Sequence, residues 1–371
     1  MRSAIVVGAG IVGLAISRAL AIKGYKVTVL ERNAKAVGAS IRNFGMIWPI
    51  GQPEGILYQR AIRSRNIWKQ SCEEAGIWHS HKGSLHVAYH PDEWQVLQEF
   101  EASCIERKGI RLLTPKECLS MAGAVNPRHL MGGMYSPDEV IVDPRQAMAA
   151  LPAYLSEKFG VRFYFGKAIS EVRTGKVRTG NQWLEADEIF VCSGEDFETL
   201  YPEVFAQSAI TKCKLQMMRT KPQPGGWEIG LPLCGGLTLT HYKSFAHCYT
   251  LPALQERILK EMPEYVEWGI HVMISQNELT EITIGDSHEY ASVFDPFIRK
   301  EINDRILGYL RNFAMLADET IVQQWMGVYP KMTDGSTELV VTPDPGVTIV
   351  NGLGGNGMTL SFGLAEEVVG V

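Results

Sequence analysis

The sequence predicts an α/β chain in which a parallel, helix-flanked sheet is interleaved with an antiparallel, strand-rich unit. Three observations predict it. The first 31 residues read strand, glycine turn, helix, strand, acid. A second strand–glycine junction (residues 187–192, then Ser193-Gly194) and a glycine-rich turn (residues 353–359) fall in the middle and near the end. Between them, residues 209–250 are cut by glycine and proline into short apolar runs that read as strands.

Ala4-Ile5-Val6-Val7 is an apolar, β-branched run, short enough for a strand buried on both faces. Gly8-Ala9-Gly10-Ile11-Val12-Gly13 then spells G-x-G-x-x-G. Gly8 permits a tight turn, Gly10 lets backbone approach a pyrophosphate, and Gly13 lets the next helix sit close on the sheet. A helix over residues 11–23 aims its first N–H groups and positive dipole end at the phosphates. Gly24 stops it, residues 26–30 form a second apolar strand, and Glu31 supplies a carboxylate for the ribose hydroxyls of an adenosine. Strand, helix and acid together make the glycine pattern a Rossmann-type dinucleotide site. The motif itself permits NAD or FAD.

Residues 38–49 form a small-polar loop suited to the edge of a ligand. Residues 57–75 carry apolar side chains at helical spacing, 83–89 alternate as a strand, and 92–108 read as an amphipathic helix. Thr114-Pro115 and Asp143-Pro144 each start a helix, the second over 146–159. Strands are predicted at 161–165, 168–172 and 187–192, and helices at 253–262 and 296–316. Residues 270–275 and 279–285 pair through a Gln276-Asn277 turn, strands follow at 321–329 and 347–350, and a helix over 360–369 closes the chain. Residues 1–75, 143–208 and 320–371 are thereby assigned to the nucleotide-binding unit. Residues 76–142 and 209–319 are assigned to an antiparallel-sheet substrate unit.

The 371 residues are 46% hydrophobic and 21% charged, the balance of a soluble globular protein. A net charge of −5 gives no electrostatic case for a nucleic-acid partner. Seven scattered cysteines, without a C-x-x-C pair, fit buried thiols in a reducing cytoplasm. The apolar N-terminus is explained by its strand and helix, so neither a targeting segment nor a membrane span is expected. His79 and His81 have no acid or cysteine beside them, and no metal site is predicted. Oligomeric state is not legible.

Several motifs occur in a telling order: the first glycine turn, Gly38-Ala39-Ser40 with Arg42-Asn43-Phe44-Gly45, Asp143-Pro144, Cys192-Ser193-Gly194, Trp325-Met326-Gly327, and Gly354-Gly355-Asn356-Gly357-Met358. That order resembles the D-amino-acid oxidase, glycine oxidase and sarcosine oxidase family of FAD-dependent amine oxidoreductases, over nearly the whole chain. The run from Arg42 to Gln52 is similar to a subgroup associated with aminoethylphosphonate breakdown. The resemblance implies FAD, with ADP on Gly8, Ala9, Gly10, Ile11, Val12, Gly13 and Glu31, and Arg32 near the ribose or adenine. Ile169 would hold the adenine by its backbone. Ser40, Arg42, Asn43 and Gly45 would reach the pyrophosphate and ribityl chain, with Ser193 and Gly194 at the neighbouring strand end. Gly355, Asn356, Gly357, Met358 and Thr359 would bring N–H groups to the N1/O2 edge of the flavin, where a helix N-terminus stabilises negative charge. Relatives that tether the flavin use a late cysteine or an early histidine; here the last cysteine is Cys248 and the first histidine His79, so FAD is expected to be non-covalent.

The implied chemistry is oxidation of a C–N bond in an amino acid, N-methyl amine or aminophosphonate, by hydride transfer to flavin N5 and hydrolysis of the imine, with oxygen or another electron acceptor. Relatives pair the substrate carboxylate with an arginine in Trp-x-Gly-x-Arg-Pro. Here Trp325-Met326-Gly327-Val328-Tyr329-Pro330 has Tyr329 at that place and Lys331 two residues on. A tetrahedral anion held by hydroxyls and several cations is the expectation, with Tyr329, Lys331, His241, Tyr242 and Lys243 as candidates. Met46 and Trp48 are candidates for the wall over the flavin. Lys214, Lys243 and Lys331 are candidates for the charge that tunes oxygen reactivity. His241 and Lys243 are read on one strand face, His271 and His288 as surface or core residues, and Gly285-Asp286-Ser287-His288 as a strand-ending turn. The alternatives are a flavin monooxygenase (hydroxylase) and a non-catalytic flavoprotein binding module. The purified protein should be yellow, and acid precipitation should leave all the flavin absorbance in the supernatant; colour retained in the pellet would mean a covalent tether.

Overall fold

The computed structural model describes residues 2–371. A six-stranded sheet runs, in spatial order, Leu339–Asp344, Val347–Asn351, Glu188–Val191, Ser3–Val7, Lys26–Glu31 and Arg162–Phe165. Its pairings are parallel except for the Leu339–Asp344/Val347–Asn351 hairpin at one edge. The first strand shows why this sheet needs apolar residues without alternation. Ala4 and Val6 pack with the helices Ile11–Ile22, Ile56–Ala75, Pro144–Phe159 and Gly357–Val369 on one face. Ile5 and Val7 pack on the other face with Val177 of a three-stranded meander, Glu171–Arg173, Lys176–Thr179 and Gln182–Glu185. Both faces are covered, as parallel sheets require.

The second sheet has nine strands. Its path is Glu289–Ala291, Ile210–Thr220, Ile282–Gly285, Met273–Gln276, Leu233–Cys234, Ser84–Ala88, Gly132–Ser136 and Arg111–Leu113, with Ile321–Met332 paired along Ile210–Thr220. All its pairings are antiparallel except Leu233–Cys234 with Ser84–Ala88. The helices Pro91–Ser103, Leu251–Glu261 and Lys300–Phe313 contribute Val96, Leu254 and Ile306 to the core on this sheet. A small sheet of Met46–Ile47, Val140–Val142 and His79–Ser80 lies between the two systems in sequence.

Four readings change. Residues 209–250 are not a run of short strands: Ile210–Thr220 is one strand, and Leu237–His241 is a short helix followed by the 3-10 turn Lys243–Phe245. His241 and Lys243 therefore do not share a strand face. The apolar side chains there cover the second sheet's core instead of alternating across it. Strand Ile321–Met332, assigned to the nucleotide-binding unit, belongs to the nine-stranded sheet, because its long pairing with Ile210–Thr220 outweighs its position near the C-terminal turn. The helix expected over 92–108 ends at Ser103, where Arg107 leaves the helical path and its buried guanidinium binds the Pro49 and Gln52 carbonyls. The strand expected at 168–172 is displaced to Glu171–Arg173, freeing Ile169 from sheet pairing.

One buried contact ties the long helix Ile56–Ala75 to the start of the C-terminal helix. Trp68 Nε1 donates to the Met358 carbonyl at 2.7 Å, and its ring meets Phe362 edge-on at 5.2 Å. Trp68→Phe removes that buried hydrogen bond and leaves space beside Phe362, a loss of about 1–3 kcal/mol. Urea unfolding should show it as a lower midpoint with an unchanged slope.

Candidate functional site

The first glycine turn is built by close approach. Gly8 has φ +102° and donates its N–H to the Leu30 carbonyl at 2.9 Å; a Cβ there would stand 2.4 Å from the Cys192 carbonyl oxygen. A Cβ on Gly13 would lie 2.0 Å from the Gly8 carbonyl oxygen, so the helix can rest on the turn only without side chains. The helix Ile11–Ile22 begins with no side-chain cap from its N-cap residue and no acid in its first turn; among the described residues a side chain meets its Ile11 N–H, Ser40 Oγ at 2.9 Å. Glu31 is buried at the end of its strand, where its carboxylate accepts from the Ala9 and Asn33 N–H groups, both at 2.9 Å. Arg32 pairs with Asp196 at 2.6 Å. Asn43 braces its own loop, donating to the Ala39 and Ser40 carbonyls and accepting from the Gly45 N–H.

These groups line one end of a cavity of about 700 Å³. From Glu31, Arg32 and Ile169 it passes Gly8, Gly10, Ile11, Val12 and Ser40, then Arg42, Asn43, Ser193 and Gly194. It continues to Gly355, Asn356, Gly357 and Met358, where a second helix, Gly357–Val369, also starts without a side-chain cap or first-turn acid. The far end is lined by Tyr329, Lys331, His241, Tyr242, Lys243 and Asp286, with His271 and His288. An extended dinucleotide with an aromatic ring system fits this donor set. Two helix N-termini present unpaired N–H groups, side-chain-free glycines let backbone approach, and a buried acid sits where an adenosine ribose would lie.

Ala9, Gly13, Gly45, Thr359, Met46 and Trp48 do not line the cavity. Ala9 supports Glu31 and Gly13 the helix. Gly45 packs where a Cβ would stand 1.9 Å from the Val142 carbonyl oxygen. Thr359 Oγ1 accepts the Trp48 N–H at 2.9 Å, and the Trp48 ring lies 6.2 Å from His86 within the core. Met46 pairs with Ile141 in the small sheet. Lys214, a candidate beside the flavin, is fully buried and paired with Glu289 at 3.0 Å, away from the cavity.

The far end rests on strand Ile321–Met332, whose end lies against the C-terminal turn. Lys331 bridges to Leu353, and the Tyr329 hydroxyl lies 3.6 Å from where a Gly355 Cβ would be. Lys331 Nζ donates to the Tyr290 hydroxyl at 2.8 Å and Lys243 Nζ to the Gly335 carbonyl at 3.0 Å. Among the described residues neither lysine has a carboxylate partner within salt-bridge distance. Burial pushes the Lys331 ammonium below its ordinary range and the Tyr329 hydroxyl well above its own.

Sequence reading missed three members of this end. The His241 and His271 rings stack at 3.8 Å between centroids, and His288 lies 4.6 and 5.1 Å from them. Asp286 is 3.2 Å from His271 Nε2 and 3.8 Å from His288 Nε2. Burial, then the neighbouring imidazoles and Lys331, hold His241 and His271 well below the usual histidine range; burial takes His288 down to about 4. Burial drives the Asp286 carboxyl well above the usual carboxylate range. The signal was present in the predicted hairpin. Extending it past its strands lets His271 and Asp286 exchange backbone hydrogen bonds, at 3.2 and 2.8 Å, which brings a histidine from each arm to the cavity.

A family model described as DAO, FAD dependent oxidoreductase, matches residues 3–370. The chain belongs to this family. This FAD-dependent oxidoreductase is 22% identical to the mitochondrial L-2-hydroxyglutarate dehydrogenase of Arabidopsis thaliana over 419 residues, covering 98% of this chain and 82% of that protein. It is similar to the solved structure of glycine oxidase from Geobacillus kaustophilus, with TM-score 0.74, 19% identity, and coverage of 100% of this chain and 95% of that one. It is similar also to FAD-bound L-alpha-glycerophosphate oxidase from Mycoplasma pneumoniae, with TM-score 0.75, 19% identity, and coverage of 99% and 94%. At these identities the structural likeness shows the fold, the two-domain flavoprotein arrangement of mixed parallel and antiparallel sheets. No described helix is long and apolar enough to cross a membrane.

Gly8→Ala should force the turn away from Cys192. The expected result is protein that folds but retains less than about a tenth of its FAD after desalting, an affinity loss of at least roughly 1.4 kcal/mol. Flavin absorbance per mole of protein measures it.

Proposed function

We propose that this oxidoreductase oxidises the C–N bond of a small amine carrying an anionic group, with aminophosphonates of the aminoethylphosphonate type, N-methylated or not, as the favoured substrates. One observation carries the reading. The cavity's far end holds Lys331 and Lys243 without carboxylate partners, and Tyr329 stands where relatives place a carboxylate-pairing arginine. Two point charges and hydroxyls suit a tetrahedral anion better than the planar, bidentate pairing an arginine gives a carboxylate. Bound FAD supplies a two-electron acceptor at flavin N5, and oxygen or another acceptor then takes those electrons.

The chain's own residues position the substrate. Lys331, Lys243 and Tyr329 hold the anion, so the amine end faces the Gly355–Met358 turn. Tyr329, close to Gly355, sets the distance between anion and turn. Removal of a hydride from carbon and a proton from nitrogen leaves an imine, which water splits into a carbonyl compound and an amine or ammonia. Much of the rate enhancement comes from fixing the C–H bond in line, which is worth several kcal/mol.

The test is anaerobic bleaching of the flavin band by a panel of aminoethylphosphonate, its N-methyl derivative, glycine, N-methylglycine, L-2-hydroxyglutarate and glycerol phosphate. Bleaching by the phosphonate amines, with the carboxylate amines at least about tenfold less efficient (1.4 kcal/mol), is the expected result. Bleaching by the hydroxy compounds and by no amine would overturn the C–N assignment. Admitting air then separates oxidase from dehydrogenase.

A further inference from the structure

The imidazole cluster at the far end is larger than an anion clamp of two lysines and a tyrosine requires, and two of its members, with Asp286, are buried. We propose that His241, His271 and His288 form a proton-linked receptor for a tetrahedral dianion, which takes up a proton as the dianion binds and thereby rejects a monoanion of the same shape. The inference rests on the proposed placement of the substrate's anionic end at this site and adds the charge state the site selects.

The hydrogen-bond inventory leads there. His288 Nδ1 lies 2.9 Å from the Gly269 carbonyl and carries its proton there. Its Nε2, on the Asp286 side, then holds a lone pair in the neutral ring and becomes a donor only when a second proton arrives. His271 Nε2 stands 3.2 Å from Asp286 Oδ1, and His271 Nδ1 and Asp286 Oδ1 are both buried without a hydrogen-bond partner. The site thus contains buried polar atoms without partners beside a ring nitrogen that becomes a donor on protonation. Each histidine offers a ring nitrogen within 4.8 Å of the others, a spread that one tetrahedral group can bridge.

The charges agree. The titratable groups facing the cluster are Lys331, Lys243, Asp286, Tyr329 and Tyr242, with Cys213 and Tyr290 behind. In the free site Lys331 and Lys243 stand beside imidazoles whose protonation is disfavoured by burial, by one another and by Lys331. A dianion compensates both lysines and reverses the field, so an imidazole gains a proton. Since that group's pKa rises on binding, affinity for a ligand already dianionic is greatest at low pH and declines as pH climbs through the bound-state value. A metal ion is the other ligand three histidines suggest. It would be held at about 2.0–2.1 Å by ring edges, whereas the His241 and His271 rings meet face to face, and two ammonium groups would repel it.

The experiment uses FAD-loaded protein and ligands that lack an amine, so it is independent of turnover. Calorimetric titration with methylphosphonate at pH 8.5, in two buffers of different ionisation heat, should report uptake of about one proton per site. Methanesulfonate, an isosteric monoanion, should bind at least about tenfold more weakly, without uptake. His288→Gln should abolish the uptake with FAD content unchanged; His241→Gln, at the less buried ring, should weaken methylphosphonate in protein that folds even if the buried variant does not. Equal affinity for the two anions, or binding without uptake in the unaltered protein, would overturn the proposal. So would binding lost to a chelator and restored by zinc, which would make the cluster a metal centre. If methylphosphonate behaves as expected while no amine bleaches the flavin, the receptor stands and the C–N reaction falls.

Discussion

Backbone donors left unpaired at two helix starts are the constraint on which the cavity depends. The helices Ile11–Ile22 and Gly357–Val369 both begin beside it with no cap from the N-cap side chain and no acid in the first turn, Ser40 Oγ meeting the Ile11 N–H alone. Such N–H groups are costly to bury without acceptors. Here they face the cavity, where an anionic ligand would accept from them and complete the helices. The glycines follow from the same demand, since a side chain on Gly8 or Gly10 would crowd the Cys192 carbonyl or Ser40.

That Gly8, Gly10 and Glu31 gather at one end of the cavity was legible in the sequence because the information is local: with Gly13 they lie within one strand–helix–strand unit. The late turn at Gly355 was legible for the same reason. The far end was not, because it is assembled from separate segments whose meeting depends on register. His241 arrives on a short helix that its apolar neighbours disguised as a strand. His271 and Asp286 meet through a hairpin, and His288 two residues on is fixed by the Gly269 carbonyl. Met46 and Trp48 went astray for a related reason: adjacency in sequence to a cofactor loop does not decide which way a side chain turns. Here the small sheet and the Thr359 hydroxyl settle it away from the cavity.

Strand Ile321–Met332 joins the two ends. It is held along its length by Ile210–Thr220 of the nine-stranded sheet, yet delivers Tyr329 and Lys331 to the turn that begins the C-terminal helix. Substitutions on this strand can alter the far end of the cavity without touching the end lined by Gly8 and Glu31.

The order of strands in the six-stranded sheet bears on biosynthesis. Ser3–Val7 has neighbours from residues 26–31 and 188–191, and the latter is in turn flanked by 347–351. The turn that carries Gly8 is shaped against Cys192, and the other helix start on the cavity is Gly357. No early stretch of a growing polypeptide owns the binding cleft. The ribosome must release nearly all of the chain before FAD finds a complete cradle, and until then the apolar strand at the front needs shielding from other chains.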